Sequence, residues 1–113
     1  MTTHQMKLAA SSFKKIISGD KIIESRLYDE KRQRIIVGDQ IEFICRDEPR
    51  KKVLTKVKAL YLYRSFKELF FDFPPEYFGG KLRNGLIQEI KKFYSKDEQK
   101  KYRVVGIRIE LAK

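Results

Sequence analysis

Apolar and polar residues alternate along five segments of the chain, which is the pattern of β-strands that bury one face. The five predicted strands are Thr3–Ala9, Lys21–Tyr28, the stretch opened by Gly38-Asp39, Val53–Tyr63 and Val105–Leu111. In the third strand, alternation places Ile41, Phe43 and Cys45 on one side. In the fourth strand, the residues expected to share a face are Val53, Val57, Ala59, Tyr61 and Tyr63.

A first helix is predicted after the first strand, where apolar residues recur at helical spacing. Its apolar stripe consists of Phe13, Ile16 and Ile17. Either Ser11 or Ser12 is a suitable N-cap, and Gly19 is a suitable left-handed residue at its end. The pattern therefore predicts a short amphipathic helix before the second strand.

Two further helices are predicted before the last strand. The sequence Ser65-Phe66-Lys67-Glu68 has the spacing of a capping box, and the helix that it starts ends before Pro74-Pro75. The apolar face of the next helix comprises Leu86, Ile87, Ile90 and Phe93. The polar connections are a solvated turn at Asp29–Arg34, a hairpin loop at Arg46–Lys52 and a connector at Asp97–Lys101 that is either helical or irregular.

The resulting element order, β-α-β-β-β-α-α-β, is not a run of βαβ units, so a doubly wound parallel sheet is not expected. We predict an α+β fold, namely a closed or nearly closed β-barrel of five to six strands. Its sheet is mixed and mostly antiparallel, and two or three short helices plug its ends. Because the sequence contains no linker or repeat, residues 1–113 are expected to form a single domain.

The composition adds a strong positive charge, with 26 Lys and Arg against 15 Asp and Glu and a net charge of +11. The excess is +5 in residues 1–57 and +6 in residues 58–113, so it belongs to the folded body and not to a detachable arm. Such a surface attracts polyanions, chiefly nucleic acid, through counterion release. A cationic protein without an anionic ligand is the alternative.

The sequence also argues against several function classes. The single cysteine, Cys45, rules out a disulfide framework and a multi-cysteine zinc site. The one histidine, His4, lies near the N-terminus, which argues against a central catalytic histidine. No apolar run is long enough to span a bilayer, and no signal peptide precedes the first strand. We expect a monomeric cytoplasmic domain that needs no metal and no cofactor.

The most informative stretch lies between the first helix and the second strand, at residues 19–26. Alternation places Glu24 and Arg26 on one strand face, with Tyr28 following them, and Lys21 lies at the mouth. If that face looks into a cleft, a carboxylate and two cations converge there. They can hold a phosphate, or the edge of a base whose exocyclic amine donates to the carboxylate. A charge pair on a solvent-facing strand is the alternative.

This stretch resembles the signature of ASCH domains, which are relatives of the PUA RNA-binding barrel. The signature Gly-x-Lys-x-x-Glu-x-Arg is matched by Gly19, Lys21, Glu24 and Arg26. The resemblance continues, in family order, through Gly38–Phe43, the strand from Val53, Ser65–Leu69, Tyr94-Ser95 and Val105–Leu111. It implies a PUA-like β-barrel with a basic cleft that binds RNA or nucleotide-like ligands.

Two kinds of ASCH enzyme supply the alternative function. One resembles an amidohydrolase of N4-acylated cytidine, with a Lys, a Thr three residues later and a distant Glu. Here Lys21 matches, but the Thr position holds Glu24, which is not a hydroxyl nucleophile. Other members resemble ribonucleases that rely on a Lys with a nearby Tyr and Ser. Those roles are open to Lys21, to Tyr28 or Tyr61, and to Ser65, which is equally suited to an N-cap.

Aromatic residues extend the candidate site. Tyr61 on the fourth strand and Tyr77 in the proline-rich loop suit stacking of unpaired bases, although packing in the core is the alternative. Arg108 on the last strand is a further candidate for the wall of the cleft. We predict an RNA- or nucleotide-binding module, with a Lys-dependent hydrolase as the alternative. The candidate ligand-binding residues are Lys21, Glu24, Arg26, Tyr28, Tyr61, Ser65, Tyr77 and Arg108, of which Lys21 and Glu24 would be catalytic in the hydrolase.

Overall fold

The computed structural model describes residues 1–112, so the last residue of the predicted domain, Lys113, lies outside the described residues. The strands are β1 (Thr3–Leu8), β2 (Ile23–Leu27), β3 (Gln40–Cys45), β4 (Lys52–Tyr63) and β5 (Val104–Leu111). The helices are α1 (Ala10–Ser18), α2 (Glu30–Gln33), α3 (Phe66–Phe71), α4 (Arg83–Lys91) and α5 (Lys96–Tyr102), with a 3₁₀ turn at Pro75–Tyr77. Among the described helices, none has the length and apolar character needed to cross a membrane.

All five strands form one sheet in the order β1-β3-β4-β5-β2. β1 runs parallel to β3, and the other three neighbouring pairs are antiparallel. The predicted α+β class and the mixed, mostly antiparallel sheet are confirmed, and the sheet is a curled half-barrel with β1 and β2 at its edges. Two cationic side chains reach across to β1: Arg26 Nη2 donates to the Lys7 carbonyl oxygen (2.9 Å), and Lys31 Nζ donates to that of Gln5 (3.0 Å).

A β-bulge in β4 changes which of its residues share a face. Val57 pairs with Ile109, but Ala59 pairs with Arg108, so Lys58 is an extra residue on β4. A shift by one residue exchanges the two faces of a strand, and the predicted common face is therefore wrong. The residues divide into Val53 and Val57 on one side and Ala59, Tyr61 and Tyr63 on the other.

Apolar side chains pack on both faces of the sheet. Val105 and Ile107 belong to the cluster that α1 covers, whereas Val104 belongs to the cluster formed with α3. Gly106 lies on the α3 side, where a Cβ would come within 2.8 Å of Leu69 Cδ1. The close approach of α3 to β5 therefore depends on a residue without a side chain.

The starts of α1 and α2 differ from the sequence prediction. α1 begins at Ala10, after an extended Ala9, so the predicted serine cap is wrong. The segment predicted as a solvated turn contains α2, because the carboxylate of Asp29 accepts a hydrogen bond from the Arg32 N–H (3.1 Å). A single side-chain cap is thus enough to order one helical turn in a wholly polar segment.

Serine residues cap the two helices that flank α4. Of the capping box predicted at Ser65 and Glu68, the structure shows the serine half: the Ser65 hydroxyl accepts a hydrogen bond from the Glu68 N–H (3.2 Å) and caps α3. The reciprocal capping box forms at α5, where the Ser95 hydroxyl accepts from the Glu98 N–H and the Glu98 carboxylate accepts from the Ser95 N–H. The connector predicted at residues 97–101 is therefore helical.

Candidate functional site

A cleft of about 480 Å³ opens between α1, the start of β2 and α4, and we call it the α1–α4 cleft. Its volume lies within the range of about 300–1,000 Å³ that is usual for small-molecule sites. Three predicted site residues, Lys21, Glu24 and Arg26, line it together. The charged lining residues are the cations Lys7, Lys15, Lys21, Arg26, Arg46 and Lys81 and the acids Glu24 and Glu89.

Gly19 ends α1 and directs the chain into the cleft wall. Its φ of 83° lies in the left-handed region, which glycine adopts without steric cost, and its N–H donates to the Ile16 carbonyl oxygen (3.2 Å). The Lys21 N–H then donates to the Lys15 carbonyl oxygen (3.0 Å), and Lys21 forms an antiparallel bridge with Phe78. The predicted glycine stop is confirmed, and it places Lys21 beside α1.

The pairing of β2 with β5 turns Glu24 and Arg26 toward the α1 side of the sheet. Glu24 lies opposite Ile107 and Arg26 lies opposite Val105, and directly opposed residues point to the same face. Both partners belong to the cluster that α1 covers, and Tyr28 packs against that cluster too. The predicted common face of Glu24 and Arg26 is therefore confirmed.

Glu24 is the centre of a network of opposite charges. It is 4% exposed, its Oε1 lies 2.8 Å from Lys21 Nζ, and its Oε2 accepts a hydrogen bond from Arg26 Nε (2.6 Å). Burial raises the pKa of this carboxyl, but the charges and hydrogen bonds of Lys21 and Arg26 outweigh burial. They lower the pKa of Glu24 from 4.5 to about 2. Glu24 therefore stays ionised at neutral pH.

Arg26 is held in place from two directions. Its Nε donates to Glu24, and its Nη2 donates to the main chain of β1 at Lys7. Burial lowers the pKa of Arg26, but the charge of Glu24 and the hydrogen bond to it raise the pKa to a value above the ordinary one. The guanidinium is thus a fixed cation between the two edges of the sheet.

A glycine after the 3₁₀ turn brings two lysines together at the cleft. Gly79 has a φ of 83°, and a Cβ there would lie 3.1 Å from Lys15 Cδ and 3.3 Å from Lys21 Cβ. Lys15 Nζ also donates to the Gly79 carbonyl oxygen (2.7 Å). Neither Lys15 nor Gly79 is among the predicted site residues. The Gly79-Gly80 pair was the available signal, because glycine often marks a close approach of chain segments.

The opposite wall of the α1–α4 cleft comes from α4 and the residues on either side of it. Phe93, predicted on the apolar face of this helix, lines the cleft and is 63% exposed. Tyr94 lines it too, and its ring stacks on Phe66 with 5.3 Å between the centroids. Neither aromatic residue is among the predicted site residues. Phe93 was predicted on the apolar face of the helix, but α4 ends at Lys91, so both aromatic residues lie just beyond it.

The other predicted site residues lie outside the α1–α4 cleft lining: Tyr28 on the same side of the sheet as Glu24, and the remaining four on the α3 side. The Arg108 guanidinium lies 5.7 Å from the centre of the Tyr77 ring, and the Tyr61 ring centre lies 4.7 Å from that of Phe73. Tyr61 and Tyr77 pack against the α3 cluster, and Ser65 caps α3. Arg108 pairs with Ile23 of the same cluster, so these side chains gather on the sheet face opposite Glu24.

The charge network leaves several donors for a ligand. An ammonium has three N–H donors and a guanidinium has five, whereas Glu24 accepts from one atom of each. Half-buried cations held by a carboxylate that is ionised at neutral pH are suited to bind phosphate or carboxylate groups, since charge-assisted hydrogen bonds are the stronger ones. The arrangement can therefore bind an anion without first being reorganised.

Comparisons with known proteins give one family. The family model of the ASCH domain matches residues 6–113. A hypothetical protein solved by crystallography is 37% identical, with a TM-score of 0.87 over 98% of this chain and 100% of that chain. A protein from Pyrococcus furiosus, solved by NMR in solution, is also 37% identical, with a TM-score of 0.78 over 99% of each chain.

More distant structures share the fold. An ASCH protein from Zymomonas mobilis is 13% identical, with a TM-score of 0.56 over 96% of this chain and 67% of that chain. A Tyr-to-Phe mutant of that protein has a TM-score of 0.61 at 11% identity, over 97% and 70% of the two chains. No curated protein matches this chain at a significant level.

Proposed function

Because this chain belongs to the ASCH-domain family and has its PUA-like fold, we propose that it is a binding module for RNA or a nucleotide. The ligand occupies the α1–α4 cleft. Lys21 and Arg26 donate hydrogen bonds to its phosphate or to a base edge, and Glu24 holds both cations in position. A single observation carries this proposal, namely the buried carboxylate that fixes two cations in the wall of a ligand-sized cleft.

The charge balance around the cleft supports an anionic ligand. The residues that line it include six cations and two acids, one of which, Glu24, is ion-paired with Lys21 and Arg26, so positive charge remains in excess. The net charge of +11 on the whole chain adds attraction at longer range. Affinity should therefore fall steeply as the salt concentration rises, as it does when bound cations displace counterions from phosphates.

A Lys-dependent ribonuclease is the second candidate function. Tyr94 and Ser25 line the same cleft as Lys21, which supplies the three residue types that the resemblance to ASCH ribonucleases implies. Glu24 is poorly suited to be a general base, because a carboxylate with a pKa of about 2 binds protons weakly at neutral pH. Binding without turnover is therefore our first proposal.

The test is a titration with nucleosides, nucleotides and short single-stranded RNAs, followed by NMR chemical shifts. We expect shifts at residues 19–28 and 79–94. A matched pair of variants isolates the cleft, since Lys81→Ala and Lys14→Ala each remove one exposed lysine, but Lys81 lines the cleft and Lys14 does not. Lys81→Ala should weaken binding a few-fold more than Lys14→Ala, and Lys21→Ala should weaken it by about tenfold or more.

The same samples separate the proposals. Equal effects of Lys81→Ala and Lys14→Ala, or shifts confined to the α3 side of the sheet, would place the ligand outside the cleft and overturn the proposal. Cleavage of the RNA during the titration, abolished by Lys21→Ala and by Tyr94→Phe, would establish the ribonuclease instead. Circular dichroism of Lys21→Ala checks that the loss of a Glu24 partner has not unfolded the protein.

A further inference from the structure

The two walls of the α1–α4 cleft differ in their chemistry. The wall formed by α1 and β2 contains the charge network around Glu24. The wall formed by α4 and its flanking residues is mainly apolar, although Lys81 and Glu89 also belong to it. Two of its apolar members are four residues apart on α4 and so share a helical face, and the other two lie just beyond the two ends of α4. These residues are Leu82, Leu86, Ile90 and Phe93.

The two ends of this apolar wall are open to solvent. Leu82 is 71% exposed and Phe93 is 63% exposed, while Leu86 and Ile90 between them pack partly against the α3 cluster. The middle of α4 is thus anchored to the fold, and apolar surface at its ends faces the cleft. A ligand consisting of phosphate alone would leave that surface in water, which makes an apolar or aromatic group a better occupant.

We propose that the α4 wall is a nucleobase subsite, in which the base of a bound nucleotide unit stacks on Phe93 while its phosphate lies against Lys21 and Arg26. This inference rests on the proposed function and specifies its ligand. A cationic wall facing an aromatic one complements a nucleotide, which carries an anionic group and a planar base in one molecule. Stacking on an aromatic side chain tolerates every base, because each base has a π-face.

If the α4 wall binds a base, the protein should bind a ligand that carries a base more tightly than a ligand of equal charge that lacks a base. Two matched pairs of probes test this: uridine 5′-monophosphate against ribose 5-phosphate, and a single-stranded RNA hexamer against an abasic oligomer of the same length. By calorimetry, the base-bearing member of each pair should bind about tenfold more tightly to the wild type. Phe93→Ala should remove that difference, and Phe93→Tyr should keep it.

Phe71→Ala is the matched control, because Phe71 is a 58% exposed phenylalanine of α3 that does not line the cleft. It should leave the preference for a base unchanged. Equal affinity of the wild type for both members of each pair, or equal losses in Phe93→Ala and Phe71→Ala, would overturn the base subsite and leave phosphate binding by the cations intact. Failure of all four probes to bind would overturn the proposed function as well.

Discussion

Replacing Glu24 with glutamine removes one buried charge and nearly preserves the shape of the side chain. A pKa of 4.5 in the unfolded chain and about 2 in the folded protein stabilises the folded state by about 3 kcal/mol at neutral pH, since each pH unit between them contributes about 1.4 kcal/mol. Glu24→Gln loses this stabilisation and leaves Lys21 and Arg26 beside a neutral amide. We expect its free energy of unfolding at pH 7 to be lower by about 3 kcal/mol.

The pH dependence of this loss has a definite sign. Because folding lowers the pKa of Glu24, its stabilisation is complete above about pH 4.5 and disappears as the pH falls toward 2. The difference between wild type and Glu24→Gln should therefore be constant from pH 7 to pH 5 and shrink below that. Urea unfolding followed by far-UV circular dichroism measures it, and suits a chain without tryptophan.

Comparing the two proteins at each pH isolates Glu24 from other groups. A hydrogen bond with His4, and others from backbone N–H groups, lower the pKa of Asp39 to about 2, but Asp39 is present in both proteins. Glu48→Gln is the control, because Glu48 pairs with Lys51 at the surface, where the loss should be below about 0.5 kcal/mol. A Glu24→Gln protein as stable as the wild type at pH 7, or a loss equally large at pH 3, would refute the reasoning.

Three further predictions concern packing, capping and titration. Gly106→Ala should lower the free energy of unfolding by about 1–3 kcal/mol in urea, because its Cβ would meet Leu69 at 2.8 Å, and unchanged stability would contradict that close packing. Ser95→Ala should cost about 1 kcal/mol in the same assay, since α5 loses its capping box, whereas a cost near zero would mean that the cap is dispensable. The hydrogen bond from the Tyr63 hydroxyl to Asp72 (2.5 Å) raises the pKa of Tyr63 to about 12. An alkaline absorbance titration should therefore show one tyrosine ionising near pH 12 that is absent in Tyr63→Phe, and an identical titration of both proteins would exclude this assignment.

Strand periodicity was sufficient to place Glu24 and Arg26 on one face, because the side chains of a strand alternate regardless of its partners. The same rule failed in β4 beyond Val57. Lys58 is an extra residue in β4 only relative to its partner β5, and the local sequence of β4 does not reveal how the two strands pair. Helix starts were also predicted incompletely from local sequence. A serine next to an apolar stripe did not start α1, whereas Asp29 ordered a helix that has no apolar stripe.

The sequence by itself determined the five strands, the glycine stop of α1 and the ion-pairing residues of β2, because each depends on residues close together in the chain. Tertiary structure decided what surrounds them. Lys15, Gly79 and Phe93 join Lys21 at one cleft because α1, the loop after the 3₁₀ turn and the residues around α4 come together beside the start of β2. It also placed Arg108 outside that cleft, because the pairing of Arg108 with Ile23 turns it to the opposite face of the sheet, where its guanidinium lies 5.7 Å from the centre of the Tyr77 ring.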